Sequence, residues 1–245
     1  MIPIRDANPG VTRPLITWMI IGVAAFVFFF VQPHTEQAAY EFDLAHAAIP
    51  CELSSGALLD HGDINGCSDV PNPPPLFPDK NLWESVFVSM FLHASFWHLA
   101  GNLWVLWIFG NNVEDAFGKL GYLVFYLISG VVATATFVLS TPDATTPLIG
   151  ASGAIAGVMG AYLVLFPRAR IVSVFPILFF LPIALPAALF LGIWLVGQFF
   201  VSGTGVAWQA HIGGFLFGAI VATLLRPVLL AHRRRLTPGR FSQAG

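Results

Sequence analysis

The sequence predicts an all-α membrane protein: one domain of six transmembrane helices, with the N and C termini both cytoplasmic. Three observations predict it. Of the 245 residues, 56% are hydrophobic and 10% charged, more apolar side chain than a soluble core can absorb. Six apolar stretches, 15–31, 96–113, 120–139, 152–166, 185–201 and 206–225, come near the length of about 20 residues that a helix needs to cross a bilayer. Six crossings put both ends on one side. That side then holds Arg5, Arg13, Lys119, Arg168, Arg170, Arg226, Arg233, Arg234, Arg235 and Arg240, ten of the eleven basic residues, as expected of cytoplasmic loops. Only Lys80 falls outside. Arg233-Arg234-Arg235 then reads as a stop signal at the membrane surface rather than a nucleic-acid patch.

Residues 1–14 are polar, carry Pro3, Pro9 and Pro14, and offer no recognisable site. The run 15–31 is a first span rather than a signal peptide, because the cleavage-like Ala45-His46-Ala47 lies well beyond its end. Residues 32–92 form a long, acidic, proline-rich outer loop, and loops of this length are functional or disordered. Both cysteines of the chain, Cys51 and Cys67, fall in it, on the side that the charge argument makes oxidising. A disulfide between them is expected, worth about 3 kcal/mol in the chain-entropy model. Two free thiols are the alternative. Metal binding by Cys51, Cys67, His46 and His61 lacks a convincing ligand spacing.

The second span opens with His93-Ala94-Ser95-Phe96-Trp97-His98-Leu99-Ala100-Gly101-Asn102. His98 and Asn102 lie one helical turn apart on one face. Polar side chains on an apolar helix need protein or a water-filled cavity, so this pair serves either interhelical hydrogen bonding or chemistry. His93, near the interface, reads as structural. Glu114 and Asp115 end this span on the opposite side of the membrane, where capping or packing is the expected role.

Pro147 and Gly150 break the chain before Ser152. The span from there to Phe166 is fifteen residues, about 22 Å of helix against about 30 Å of hydrocarbon. Pro167 and Arg168 end it at the inner surface, so Ser152 is sunk below the outer one. Ser152, Ala156 and Gly160 form a stripe, flanked by Gly153 and Gly157, that lets another helix approach closely. Residues 171–184 are placed along the inner interface and the fifth span starts near Leu185. Trp194 and Gln198, one turn apart toward its outer end, line either a gating face or a packing surface. On the sixth span His211, Gly214 and Gly218 share a face. The second, fourth and sixth spans run the same way with their polar residues in the first turns, so Ser152, His211, His98 and Asn102 share one depth.

Acyl transfer is the chemistry this set permits. A serine hydroxyl needs a base to take its proton, and His211 is the imidazole on the closely packed face. No Asp or Glu lies at this depth within a span, so a catalytic dyad is expected rather than a triad. His98, Asn102 and the Ser152 backbone N–H can supply oxyanion donors.

The motifs His93-x4-His98-x3-Asn102, Asn112-Val113-Glu114-Asp115, Gly150-Ala151-Ser152-Gly153 and Ala210-His211-Ile212-Gly213-Gly214 together resemble the rhomboid intramembrane serine proteases. The resemblance covers about residues 91–225 and implies a six-helix rhomboid bundle. The chain then divides into a core of about 85–225, the outer loop 32–92 and a basic tail 226–245, all within one membrane domain 1–245. It implies Ser152 as nucleophile, His211 as general base and acid, and His98 with Asn102 at the oxyanion hole. Expected partners are the lipid bilayer and transmembrane protein substrates, cleaved near the outer face after a small side chain; nucleic acid, cofactor and metal are not expected. A bacterial plasma (inner) membrane is the expected location. Two departures stand out. Trp83-Glu84 replaces a Trp-Arg pair of the outer loop, and Ala156 stands where some members carry an aromatic that stacks on the histidine. The alternatives are a proteolytically silent, rhomboid-like binding or quality-control scaffold, and a metal or haem protein using His93, His98 and His211.

Overall fold

The computed structural model describes residues 2–59, 67, 75–174, 181–201 and 205–236. In chain order these form β1 (Ile2–Asp6), α1 (Leu15–Phe26, running on through a π-helical turn at Val27–Val31), α2 (Glu36–His46), α3 (Pro50–Ser55), α4 (Leu82–Val88), α5 (Phe96–Phe117), α6 (Lys119–Ser140), α7 (Ser152–Leu165), β2 (Arg170–Val174), β3 (Pro182–Pro186), α8 (Ala187–Gln198) and α9 (Trp208–Arg235). Helices α6 and α9 are long and apolar enough to cross a membrane; α1 with its π turn, α7 and α8 are shorter apolar helices. Large apolar side chains such as Phe30, Leu120, Leu139, Phe200 and Leu224 point outward, a surface suited to lipid rather than water.

Helix α7 is apolar all round and therefore belongs in the middle. Every residue from Gly153 to Tyr162 is buried, with α5, α6 and α9 around it. Its seam with α9 is a backbone contact. A methyl group on Gly214 would overlap the Gly153 carbonyl, and one on Gly218 the Gly157 carbonyl, so larger residues would force the two helices apart.

Arg233, near the end of α9, donates to Asn112 Oδ1 near the end of α5 at 2.8 Å. Its guanidinium also lies 4.6 Å from the ring centroid of Phe166, just past α7. The opposite ends of the same three helices carry His98, Ser152 and His211. Helices α5, α7 and α9 therefore run in one direction.

Helix α1 begins after Pro14 with no side-chain cap of its own, and its orphan N–H groups are satisfied from α5. Glu114 accepts from Ile16 N at 3.1 Å, Thr17 N at 2.9 Å and Thr17 Oγ1 at 2.8 Å. Asp115 accepts from Thr12 N at 3.0 Å and Thr12 Oγ1 at 2.6 Å. Two carboxylates on the positive end of a helix dipole fix α1 to α5. This is the capping role expected of them.

The all-α expectation needs one correction. Residues 2–6, 170–174 and 182–186 form a three-stranded antiparallel sheet in the order β1-β2-β3, where a featureless N-terminus and an interfacial stretch were expected. The run Ile171-Val172-Ser173-Val174 is β-prone. Pro182 and Pro186 deny the neighbouring segment a helix but suit an edge strand, as Pro3 does on β1. The Trp104 indole donates to the Pro3 carbonyl at 2.6 Å, attaching the sheet to α5.

The outer loop has a small core of its own, in which Leu44, Ile49, Cys51 and Leu59 pack with Cys67, Leu76 and Phe77. Cys51 and Cys67 are bonded, with their Cα atoms 5.5 Å apart. Lys80, the lone basic residue assigned to this side, is not solvated. Its Nζ lies 2.6 Å from Glu52 Oε2, with side-chain exposures of 1% and 2%, and donates to the Leu44 carbonyl at 2.7 Å. Burial pushes the lysine's pKa down, and the partnership with Glu52 opposes that shift. Asn81 caps α4 by accepting from Trp83 N at 3.0 Å and Glu84 N at 3.2 Å, while the Trp83 side chain is exposed. Lys80 and Asn81 thus anchor the segment where Trp83-Glu84 departs from the family pattern.

Candidate active site

Ser152 is the first residue of α7, so its own N–H has no intrahelical acceptor. The approach to it is set by Gly150, whose φ of 118° is open to glycine and strained for other residues. A methyl group added there would sit 2.8 Å from His98 Nε2 and 3.6 Å from Asn102 Nδ2. The Gly150 backbone and these two side chains therefore face one small space. Asn102 is only 8% exposed and its Nδ2 has no hydrogen-bond partner among the described residues. A buried N–H without an acceptor is costly to fold around.

His211 reaches Ser152 from α9, with Nε2 2.8 Å from Oγ. Its other ring nitrogen, Nδ1, lies 2.6 Å from Gln198 Oε1 on α8. Gln198 is itself tethered, its Nε2 donating to the Trp194 carbonyl one turn back at 3.1 Å. The Trp194 ring packs beside the imidazole, 6.0 Å between centroids at 36°, and against Phe215 at 5.8 Å. The aromatic support missing at Ala156 is thus supplied from α8. His93 packs its ring edge-on against that of His98, 5.1 Å between centroids. Its backbone N donates to Gln32 Oε1 at 3.0 Å, and Gln32 Nε2 donates to its carbonyl at 3.3 Å, which joins the end of α1 to the start of α5.

Residue spacing and the charge-derived span directions placed Ser152, His211, His98 and Asn102 at one depth, and in the structure they lie around one space. Two participants escaped it. Gln198 was noted for its spacing from Trp194 but not as the partner of His211; an amide one turn from an aromatic was the available signal. Ser89 carried no signal at all, yet its carbonyl accepts from Gly150 N at 2.9 Å. Beside Ser152 is a cavity of about 20 Å³, lined in part by Met90, Gly130, Ala133 and Leu148, room for little more than one water-sized group. Of the metal set considered from sequence, Cys51 and Cys67 are bonded to each other and His61 lies outside the described residues.

A family model described as the rhomboid domain matches residues 79–228. The chain is 29% identical over 161 residues to Rhomboid protein 1, mitochondrial, of Saccharomyces cerevisiae, covering 62% of this chain and 44% of that protein. It is 31% identical over 168 residues to the presenilin-associated rhomboid-like protein, mitochondrial, of Bos taurus, covering 64% of this chain and 42% of that one. RHOMBOID-like protein 12, mitochondrial, of Arabidopsis thaliana matches at 29% over 163 residues, 58% of this chain and 46% of the relative. The matched region thus spans less than half the length of these relatives. They correct the expected location: all three are mitochondrial proteins, which points to a mitochondrial membrane rather than a bacterial plasma membrane. With the family model matching well over half of its residues, the chain belongs to the rhomboid family.

Proposed function

We propose that the protein is an intramembrane serine endopeptidase that cleaves transmembrane segments through a Ser152–His211 dyad. One observation carries this reading: the 2.8 Å contact between Ser152 Oγ and His211 Nε2, made beside a buried amide donor, Asn102 Nδ2, that has no partner among the described residues. A hydroxyl in contact with an imidazole is what nucleophilic acyl transfer requires, and a preset N–H donor is what its oxyanion requires.

In this mechanism His211 Nε2 takes the Ser152 proton as Oγ bonds to the scissile carbonyl carbon. The negative charge that develops on the carbonyl oxygen is met by the Ser152 N–H, Asn102 and His98. The C–N bond then breaks and His211 returns the proton to the leaving amine. Water, deprotonated by the same nitrogen, hydrolyses the acyl-enzyme and regenerates Ser152. The small cavity beside the serine favours a small residue on the acyl side of the cut bond.

Membership of the rhomboid family supports the membrane setting, as does the outward-facing apolar surface. We take the chain to cross six times, with the basic residues of both ends on one side and Ser152, His211, His98 and Asn102 toward the other. The substrate is then a transmembrane segment that unwinds near that second face.

The test is cleavage of a model single-span substrate by purified protein in detergent, with Ser152→Ala, His211→Ala and an EDTA condition alongside. The proposal expects wild-type cleavage that is indifferent to EDTA and absent from both variants. Cleavage that survives Ser152→Ala overturns it.

A further inference from the structure

We infer that Gln198 is a positioning residue that selects the base-competent tautomer of His211 and makes the site a relay of three side chains on three helices. The inference rests on the reading of Ser152 and His211 as the reacting pair.

Trp194 O can only accept, so the Gln198 group 3.1 Å from it must be the amide nitrogen. That settles which way the amide points. Its oxygen then faces His211 Nδ1 at 2.6 Å, and because an amide oxygen can only accept, Nδ1 must carry the proton. In a neutral imidazole the other nitrogen is then bare. That nitrogen, Nε2, faces Ser152 Oγ at 2.8 Å and can accept only from the hydroxyl. A carbonyl on α8 therefore sets the direction of every proton out to the serine.

Gln198 is 7% exposed, so water does not readily replace it at Nδ1. As the dyad reacts, Nδ1–H stays on the ring and the amide oxygen stabilises the imidazolium as a dipole rather than as a charge. Around His211, α5 presents the titratable His98, while α7 and α8 present Ser152, Trp194 and Gln198. Among the described residues no carboxylate does this work. Because Gln198 lies on a different helix from either reacting residue, displacement of α8 relative to α9 disconnects the base without moving Ser152.

The test uses the full chain in detergent with a fluorophosphonate probe and a single-span peptide substrate, both followed across pH. Gln198→Leu and Gln198→Met remove the acceptor while keeping bulk, and Gln198→Glu restores one that is charged. In either apolar variant, labelling of Ser152 and kcat fall about tenfold, the worth of one lost hydrogen bond at the transition state, while KM stays within about twofold of wild type. In Gln198→Glu the rate recovers on the alkaline side. Its acid limb moves to higher pH, because a carboxylate beside Nδ1 holds the imidazolium. Folded apolar variants that label at the wild-type rate overturn the inference, as does a loss confined to KM or a Gln198→Glu limb that does not move. Failure of the underlying reading looks different: wild type does not label, or Ser152→Ala still does.

Discussion

Leu148 N donates to the carbonyl of Ala48 at 2.8 Å, an isolated antiparallel bridge that joins the outer loop to the segment leading into Ser152. Ser89 lies behind both partners. Its Oγ accepts from Ala48 N at 2.7 Å, and its carbonyl accepts from Gly150 N at 2.9 Å. Cys51 N adds a bond to the Ala144 carbonyl at 3.1 Å, and Ser54 Oγ one to that of Pro142 at 2.8 Å. The disulfide-bonded outer loop thus holds the segment leading into Ser152 by its backbone.

Ser89→Ala should therefore act on both stability and rate. It strands a buried backbone N–H at Ala48, a cost of about 1–3 kcal/mol, and loosens the bridge to Leu148. A lower melting temperature together with slower labelling of Ser152 is expected. Thermal unfolding and probe kinetics on the same preparation check it.

Lys80 and Glu52 should behave as a buried pair whose halves depend on each other. Lys80→Met alone leaves a buried carboxylate without its counter-charge and is expected to cost about 3–5 kcal/mol; Glu52→Gln alone strands the ammonium to similar effect. The double variant Lys80→Met, Glu52→Leu should lose less than either single change. A double-mutant cycle of unfolding free energies measures this, and additive losses would rule out the coupling.

Asp43 gives the outer loop a pH dependence. Burial, opposed by the nearby His46, raises its carboxyl from 3.8 to about 6, and Oδ1 has no hydrogen-bond partner among the described residues. A carboxyl whose folded pKa lies above its unfolded one binds its proton more tightly in the folded state. Its stabilising contribution is complete below about pH 4 and is lost as pH rises through about 6. Asp43→Asn should remove this dependence and raise the melting temperature at neutral pH relative to wild type. Melting curves between pH 4 and 8 give the sign directly.

Gly150→Ala is expected to abolish turnover while leaving the bundle folded. The new methyl would meet His98 Nε2 at 2.8 Å, in the space proposed for the oxyanion, on a backbone whose φ of 118° disfavours any side chain. For comparison, Asn102→Ala should lower kcat by about 10²–10³ with a smaller effect on folding. Circular dichroism beside steady-state kinetics separates the two effects.

Much of the site was legible because membrane burial makes polar residues informative. Ser152, His98, Asn102 and His211 stand out on apolar helices, and their shared depth follows from a running direction that charge alone supplied. The glycines of α7 and α9 were legible for a related reason, since small residues recur where helix backbones touch. Gln198 was read as lining a gating face or a packing surface, because an amide near a helix end serves several roles equally well, and only the geometry gives it His211 as partner. The sheet escaped for a different reason: β1 finds its partner more than 160 residues away, and nothing local pairs Ile2–Asp6 with Arg170–Val174. Lys80 was placed only by its side of the membrane, because Glu52, its buried partner, lies in a loop with a disulfide and a small core of its own.

In the proposed reaction Ser152 is the nucleophile and His211 its base. Mass-spectrometric mapping of the adduct formed by a fluorophosphonate on the intact protein tests it most directly. A single modified residue, Ser152, is expected, with the adduct lost in His211→Ala. An adduct on another residue, or one on Ser152 that forms as fast without His211, would contradict it.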